Sequence, residues 1–213
     1  GPGQVQYLVV GNAVMTCVVE AMMVVASSGW ERKLGTVPLL VASPAGLIWV
    51  YAGRSLQWPV SGAGTSLVAL LVLGPAFGVS WTAGRVLPVV LLVLVASFTT
   101  YCVGLLLGAM IFNARDLRSV VSNGASFGMM VVCGVQVPVD TWPGWVQGFA
   151  AALPLTHALA AIRTVAAGGA AAGAAREAGL ALALGAVWLA AAAAVLRIQV
   201  ARGRRAGTID FGE

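Results

Sequence analysis

WERKLGTVPLLVASP, residues 30–44, stands between two long apolar runs and decides how the chain is read. It holds Lys33, the only Lys, and Glu31, one of few acidic residues. Read as helix, Trp30, Leu34, Val37 and Val41 share one stripe, with Glu31, Arg32 and Lys33 off it. Gly35 interrupts the pattern, and Thr36 can restart it as an N-cap. Pro38 then falls in the first turn, where its missing N–H costs little. A helix lying on a membrane surface or docking onto a soluble partner has this form. So does a charged connector that only holds two membrane helices in place.

The apolar surroundings set the class. Of 213 residues, 60% are hydrophobic and only 9% charged, and the mean hydropathy is +0.94. A soluble domain carries about a quarter charged residues, so the composition is that of an integral membrane protein and excludes disorder or a soluble enzyme domain. The net charge of +5 does not point to nucleic acid, because the basic residues are scattered singly between apolar runs. Arg far outnumbers Lys beside long Ala, Gly and Val tracts, a bias typical of a GC-rich bacterial genome. Cys17, Cys102 and Cys133 sit inside apolar runs at no metal or redox spacing and read as free thiols. The first residues, GPGQVQY, lack the charged start and short apolar core of a signal peptide.

A helix needs about 20 apolar residues to cross a bilayer core. Five runs meet that length, at 7–27, 58–81, 86–112, 120–139 and 180–200. The stretch 140–177 is different. Its apolar part, 146–161, is short and follows Pro143 and Gly144, with Pro154 inside it, so a re-entrant or interfacial helical pair fits better than a sixth span. If the chain begins outside, Arg32, Lys33, Arg54, Arg115, Arg118, Arg197, Arg202, Arg204 and Arg205 fall inside. Only Arg85, Arg163 and Arg176 fall outside. The positive-inside rule favours this orientation, with the C-terminus cytoplasmic and Trp142 and Trp145 at the outer interface. A start outside without a cleavable signal, and without an initiator Met, leads to the expectation of one further span upstream.

The ordered features resemble a known family. ERKLGTVPLLVASP resembles a signature of type-2 ABC transporter permeases, exporters of drugs, lipids and polysaccharides. VPVDTWPGWVQGFAAALPLTHALAAIR, 137–163, is similar to that family's outer segment through Pro138, Pro143, Trp145, Pro154, Thr156 and Arg163. Arg115 and Asp116 match its short inner loop. Pro38, and His157 in place of a common Tyr, depart from the pattern. The resemblance implies an all-α polytopic fold of six spans, five of them in this chain. It implies a cytoplasmic coupling helix at about 30–44, in which Trp30, Glu31, Arg32, Lys33, Leu34, Gly35 and Thr36 meet an ATPase. It also implies two copies of that ATPase carrying ATP and Mg, and a second permease subunit, expected to be a copy of this chain. The setting would be a bacterial plasma membrane and the outcome export, including multidrug efflux and antibiotic resistance. No cofactor is expected on the chain itself. It has no G-x-x-x-x-G-K-[ST] loop, so any ATP must be bound by another polypeptide.

Candidate pathway residues follow from polarity in apolar runs. Glu20 lies about two turns inside the first run, where a carboxylate costs roughly 2.5–3.5 kcal/mol on insertion scales and must face protein or water. It reads either as pathway lining or a polar contact that changes during transport, or as a protonated or hydrogen-bonded structural Glu. Asn123, Phe127 and Met130 form a stripe in the fourth run, suited to amphipathic cargo or to ordinary helix packing. Gly124–Gly128 matches G-x-S-x-G around Ser126, and with His157 could serve an intramembrane serine protease. The same residues form G-x-x-x-G, as do Gly74–Gly78 and Gly104–Gly108, which favours helix packing. An ATP-independent scaffold or channel subunit is a further alternative. Arg197 and Arg202–Arg205 read as an anchor to anionic inner-leaflet lipid.

Overall fold

In hydrocarbon a backbone must satisfy its own polar groups, so long apolar runs fold as helices. A computed structural model describes residues 2–27, 47–79, 81–111 and 117–206, and every regular element among them is helical. In order these are α1 (Pro2–Ser27), α2 (Leu47–Ser55), α3 (Gln57–Val68), α4 (Ala83–Met110), α5 (Arg118–Val132), α6 (Gly144–Ala151), α7 (Pro154–Ala166) and α8 (Ala171–Ala206). The chain is thus the all-α polytopic membrane protein its composition implies. Gly3–Ser27, Ala52–Phe77, Ala83–Met110 and Ala171–Gln199 are each long and apolar enough to cross a bilayer. The bent pair α6–α7 adds a fifth if counted as one span. The segment 30–44, with its coupling residues Trp30 to Thr36, lies outside the described residues, as do Arg115 and Asp116.

The centre of the bundle is α4, which packs on α1, α3, α7 and α8. On α1, Val14, Val18, Ala21 and Val25 are fully buried, recurring every three or four residues as one helical face. Between apolar helices in lipid no hydrophobic force acts, so close van der Waals approach must hold them. Small residues permit it. A Cβ built on Gly104 would lie 2.7 Å from Val24 of α1, and one on Gly185 2.8 Å from Thr99. Polar side chains add bonds across the crossings. Ser97 Oγ donates to the carbonyl of Pro59 at 2.7 Å, Tyr101 Oη to that of Ala52 at 2.7 Å, and Gln199 Nε2 to that of Ala109 at 3.0 Å.

Several boundaries differ from those read off the sequence. The fourth run, expected to be helical over 120–139, stops at Val132, because Gly134 turns the chain with φ 82 and Pro138 follows. With 15 residues, α5 is only about 22 Å long, shorter than a core of roughly 30 Å. The second run passes through a π turn, Ala69–Leu73, and a 3-10 turn, Gly74–Phe77, ending at Gly78 with φ 84. Gly74 and Gly78 therefore build a turn and are not a helix-packing pair. The last span begins at Ala171, well before Leu180.

The stretch 140–177 holds the expected helical pair. α6 and α7 meet at 85°, because Pro154 opens α7 and cannot continue α6. Trp188 of α8 donates to the carbonyl of Ala152 in the elbow at 3.1 Å. Trp188 lies 17 residues into α8, about 25 Å along its axis from Ala171. The elbow thus reaches well down the last span.

Candidate functional site

One face of the bundle leaves polar side chains uncovered among apolar ones. α1 packs against both α3 and α5 while keeping a stripe of its own outward: Leu8, Asn12, Thr16, Val19 and Met23 are exposed and Glu20 is half-buried. Asn12, Thr16 and Glu20 follow one another at intervals of four, so a single face carries an amide, a hydroxyl and a carboxylate. On α3, Ser61, Gly64 and Thr65 are exposed beside this stripe. A Cβ on Gly62 would sit 3.0 Å from the Cys17 backbone and 3.1 Å from Glu20 Cβ, which shows how tightly α3 lies against α1 here.

The bonds on this face are few. Thr65 Oγ1 donates to Glu20 Oε1 at 3.1 Å, yet the carbonyl of Gly62 competes for the same hydrogen at 3.0 Å. A hydroxyl has one hydrogen to give. Among the described residues no basic side chain pairs with Glu20. Thr16 Oγ1 is turned to its own helix, on the carbonyl of Ala13 at 2.8 Å. Asn12 Oδ1 accepts from Gln136 Nε2 at 3.2 Å, which ties the segment after α5 to α1.

α5 completes the face. Its inner side is anchored by Ser122 Oγ, which donates to the carbonyl of Met22 at 2.8 Å. That bond sets the two helices in register, with Asn123 at about the depth of Glu20 and Phe127 about a turn further along. Asn123 is exposed, as is Phe127 at 64%, while Met130 is half-buried and approached by Gln136 Nε2 at 3.8 Å. The expected stripe is therefore split: two members face outward and Met130 turns toward the core. A Cβ on Gly124 or Gly128 would meet nothing within 4 Å. Among the described residues that G-x-x-x-G pair packs no helix. Of the three pairs named from the sequence, only Gly104–Gly108 lies in a buried crossing.

Ser126 and His157 are not joined. Ser126 Oγ donates to the carbonyl of Ser122 at 3.0 Å on its own helix. Both ring nitrogens of His157 have other partners, Nδ1 with Glu177 Oε2 at 2.7 Å and Nε2 with the carbonyl of Ala151 at 3.0 Å. No Ser–His hydrogen bond exists, and the geometry of a nucleophile with its base is missing.

A second polar cluster holds the end of the bundle where α1 begins. Arg163 of α7 donates from Nη1 to the carbonyl of Gly134 at 2.7 Å, and from Nη2 to those of Val135 at 3.2 Å and Tyr7 at 3.3 Å. Its guanidinium carbon lies 3.4 Å from the centre of the Tyr7 ring, whose hydroxyl also donates to Gly134. Gly11 must be Gly here, since a Cβ would run into the carbonyl oxygen of Val135. Sequence reasoning passed over Tyr7, Gly11, Asn12, Thr65, Gln136 and Glu177. The four-residue spacing of Asn12, Thr16 and Glu20 was a readable signal. Nothing in sequence links Thr65 or Gln136 to that stripe.

Comparison with known proteins identifies one family. A family model described as ABC-2 type transporter matches residues 2–166. No curated protein matches the chain, and no solved structure does.

Proposed function

Given that the chain belongs to the ABC-2 type transporter family as a membrane permease subunit, we propose that its cargo moves along the outward face of α1, α3 and α5. The observation that carries this reading is the stripe Asn12, Thr16 and Glu20, left exposed beside Thr65 and Asn123 in a chain that is 60% hydrophobic. Lipid would not tolerate such a face, so water, cargo or a second subunit must cover it. Two copies of the chain, each with its α5 stripe of Asn123, Gly124, Phe127 and Gly128 unpartnered, enclose the path between them.

The energy comes from two separate ATPase subunits that hold ATP and its Mg. They dock on the segment 30–44, through Trp30, Glu31, Arg32, Lys33, Leu34, Gly35 and Thr36. This segment follows α1 directly, and Glu20 lies seven residues before the end of α1 at Ser27, about 10 Å along the axis. A movement of the docked segment is thereby passed to the carboxylate by one rigid helix. The balance of basic residues supports a cytoplasmic C-terminus in a bacterial plasma membrane. Cargo then enters near Glu20 in the inner half and leaves past Asn12 and Gln136, with the α6–α7 pair capping the exit. The direction is export, and drugs are within the range of cargo.

Charge reversal at Glu31 together with Arg32 tests the coupling. The expected result is ATP hydrolysis that no longer responds to cargo and transport that falls at least tenfold. Unchanged cargo-stimulated turnover would refute the assignment of this segment.

A further inference from the structure

From Glu20 and its surroundings we infer the chemical class of the cargo: a lipophilic cation. This inference rests on the reading of the α1–α3–α5 face as the pathway. Within the described spans Glu20 has no basic side chain or imidazole beside it; Glu177 shares a hydrogen bond of 2.7 Å with His157 Nδ1, and Asp140 stands outside the spans. Its single donor, Thr65 Oγ1, has one hydrogen that the carbonyl of Gly62 also claims at 3.0 Å. Among the described residues this carboxylate has a hydroxyl but no charged partner, and a cation supplies both charge and surface.

The neighbours agree with that partner. The register set by Ser122 on Met22 places the exposed Asn123 near the depth of Glu20 and the exposed Phe127 about a turn away. Val19 and Met23 flank Glu20 on the exposed stripe. The face offers one negative charge, an aromatic ring that can attract a cation, and flexible apolar surface. No basic side chain among the described residues of this face would hold an anion. An anionic lipid or glycan phosphate would meet an unpaired carboxylate and be repelled.

Three probes of similar bulk and different charge test this on the purified full chain in nanodiscs: tetraphenylphosphonium, triphenylphosphine oxide and tetraphenylborate. By equilibrium dialysis, tetraphenylphosphonium is expected to bind saturably and at least tenfold more tightly than the other two. Glu20→Gln is expected to abolish that preference, leaving the neutral probe unaffected, and Glu20→Asp to retain part of it. Absence of saturable cation binding, absence of charge preference, or full preference in Glu20→Gln would each overturn the inference. A second measurement needs no variant. Tetraphenylphosphonium should protect Glu20 from labelling by a hydrophobic carbodiimide, while tetraphenylborate should not; equal protection by both, or by neither, counts against it. Binding requires no ATPase, so a failure here and a failure of coupling through residues 30–44 are told apart.

Discussion

Arg163 offers the sharpest perturbation of how the bundle is held at the end where α1 begins. Arg163→Ala removes three bonds, to the carbonyls of Gly134, Val135 and Tyr7, and the contact with the Tyr7 ring at 3.4 Å. A hydrogen bond from a charged donor is worth about 1.5–3 kcal/mol. The bonds at 3.2 and 3.3 Å are long and belong at the low end. Truncation also relieves the desolvation of a cation whose partners, three carbonyls and a tyrosine ring, are all neutral. The balance is a loss of about 2–4 kcal/mol, much of it from leaving the Val135 carbonyl without its donor. Reversible unfolding of the purified chain in mixed micelles measures it. Arg163→Lys keeps the charge but not the planar fork, and should lose roughly half as much. Gly11→Ala should act on the same cluster, since its Cβ would strike the Val135 carbonyl and press on the guanidinium. The double variant then loses less than the sum of the two. An Arg163→Ala chain within about 0.5 kcal/mol of the parent would refute the idea that this cluster holds the end together.

Other expectations follow from single contacts. Gly104→Ala should destabilise by about 1–3 kcal/mol, because its Cβ would lie 2.7 Å from Val24. Gly128→Ala, in open space among the described residues, should leave monomer unfolding unchanged to about 0.5 kcal/mol; if two copies pair there, crosslinking yield should fall instead. Tyr101→Phe removes the bond to the carbonyl of Ala52 at 2.7 Å and the contact with Ser55 Oγ at 2.6 Å, for a loss of about 1 kcal/mol in the same assay. His157→Ala frees α7 from Glu177 of α8 and from the carbonyl of Ala151. Amide exchange over residues 144–166 should accelerate at least tenfold, and an unchanged exchange pattern would show that this bridge does not hold the hairpin.

The helices were legible because bilayer thickness and backbone satisfaction leave little choice for a run of 20 apolar residues. The break between α6 and α7 was legible too, because Pro154 interrupts a run already too short to cross. The helix ends were less so. Val132 looks no different from its neighbours, and only Gly134 in a left-handed conformation stops α5 there. Gly124 and Gly128 show the limit of a motif. Their spacing permits close packing, but whether a neighbour lies there depends on which way α5 is rotated. Ser122 on Met22 decides that rotation, and no local pattern announces it. Glu20 was legible from its expense in hydrocarbon alone. Its partner Thr65 was not, because a contact 45 residues away in sequence depends on the α1–α3 crossing at Gly62. Arg163 was legible as a position of the outer segment, but its carbonyl partners, in α1 and in the turn after α5, were not.

Everything functional rests on an engine supplied by another chain. The most direct measurement is purification of this protein from its native membrane, followed by ATP-driven uptake of tetraphenylphosphonium into inverted proteoliposomes of the purified complex. The expected result is a nucleotide-hydrolysing subunit that co-purifies with the chain, and uptake that requires ATP. A chain that purifies without such a companion, or uptake indifferent to ATP, would contradict it.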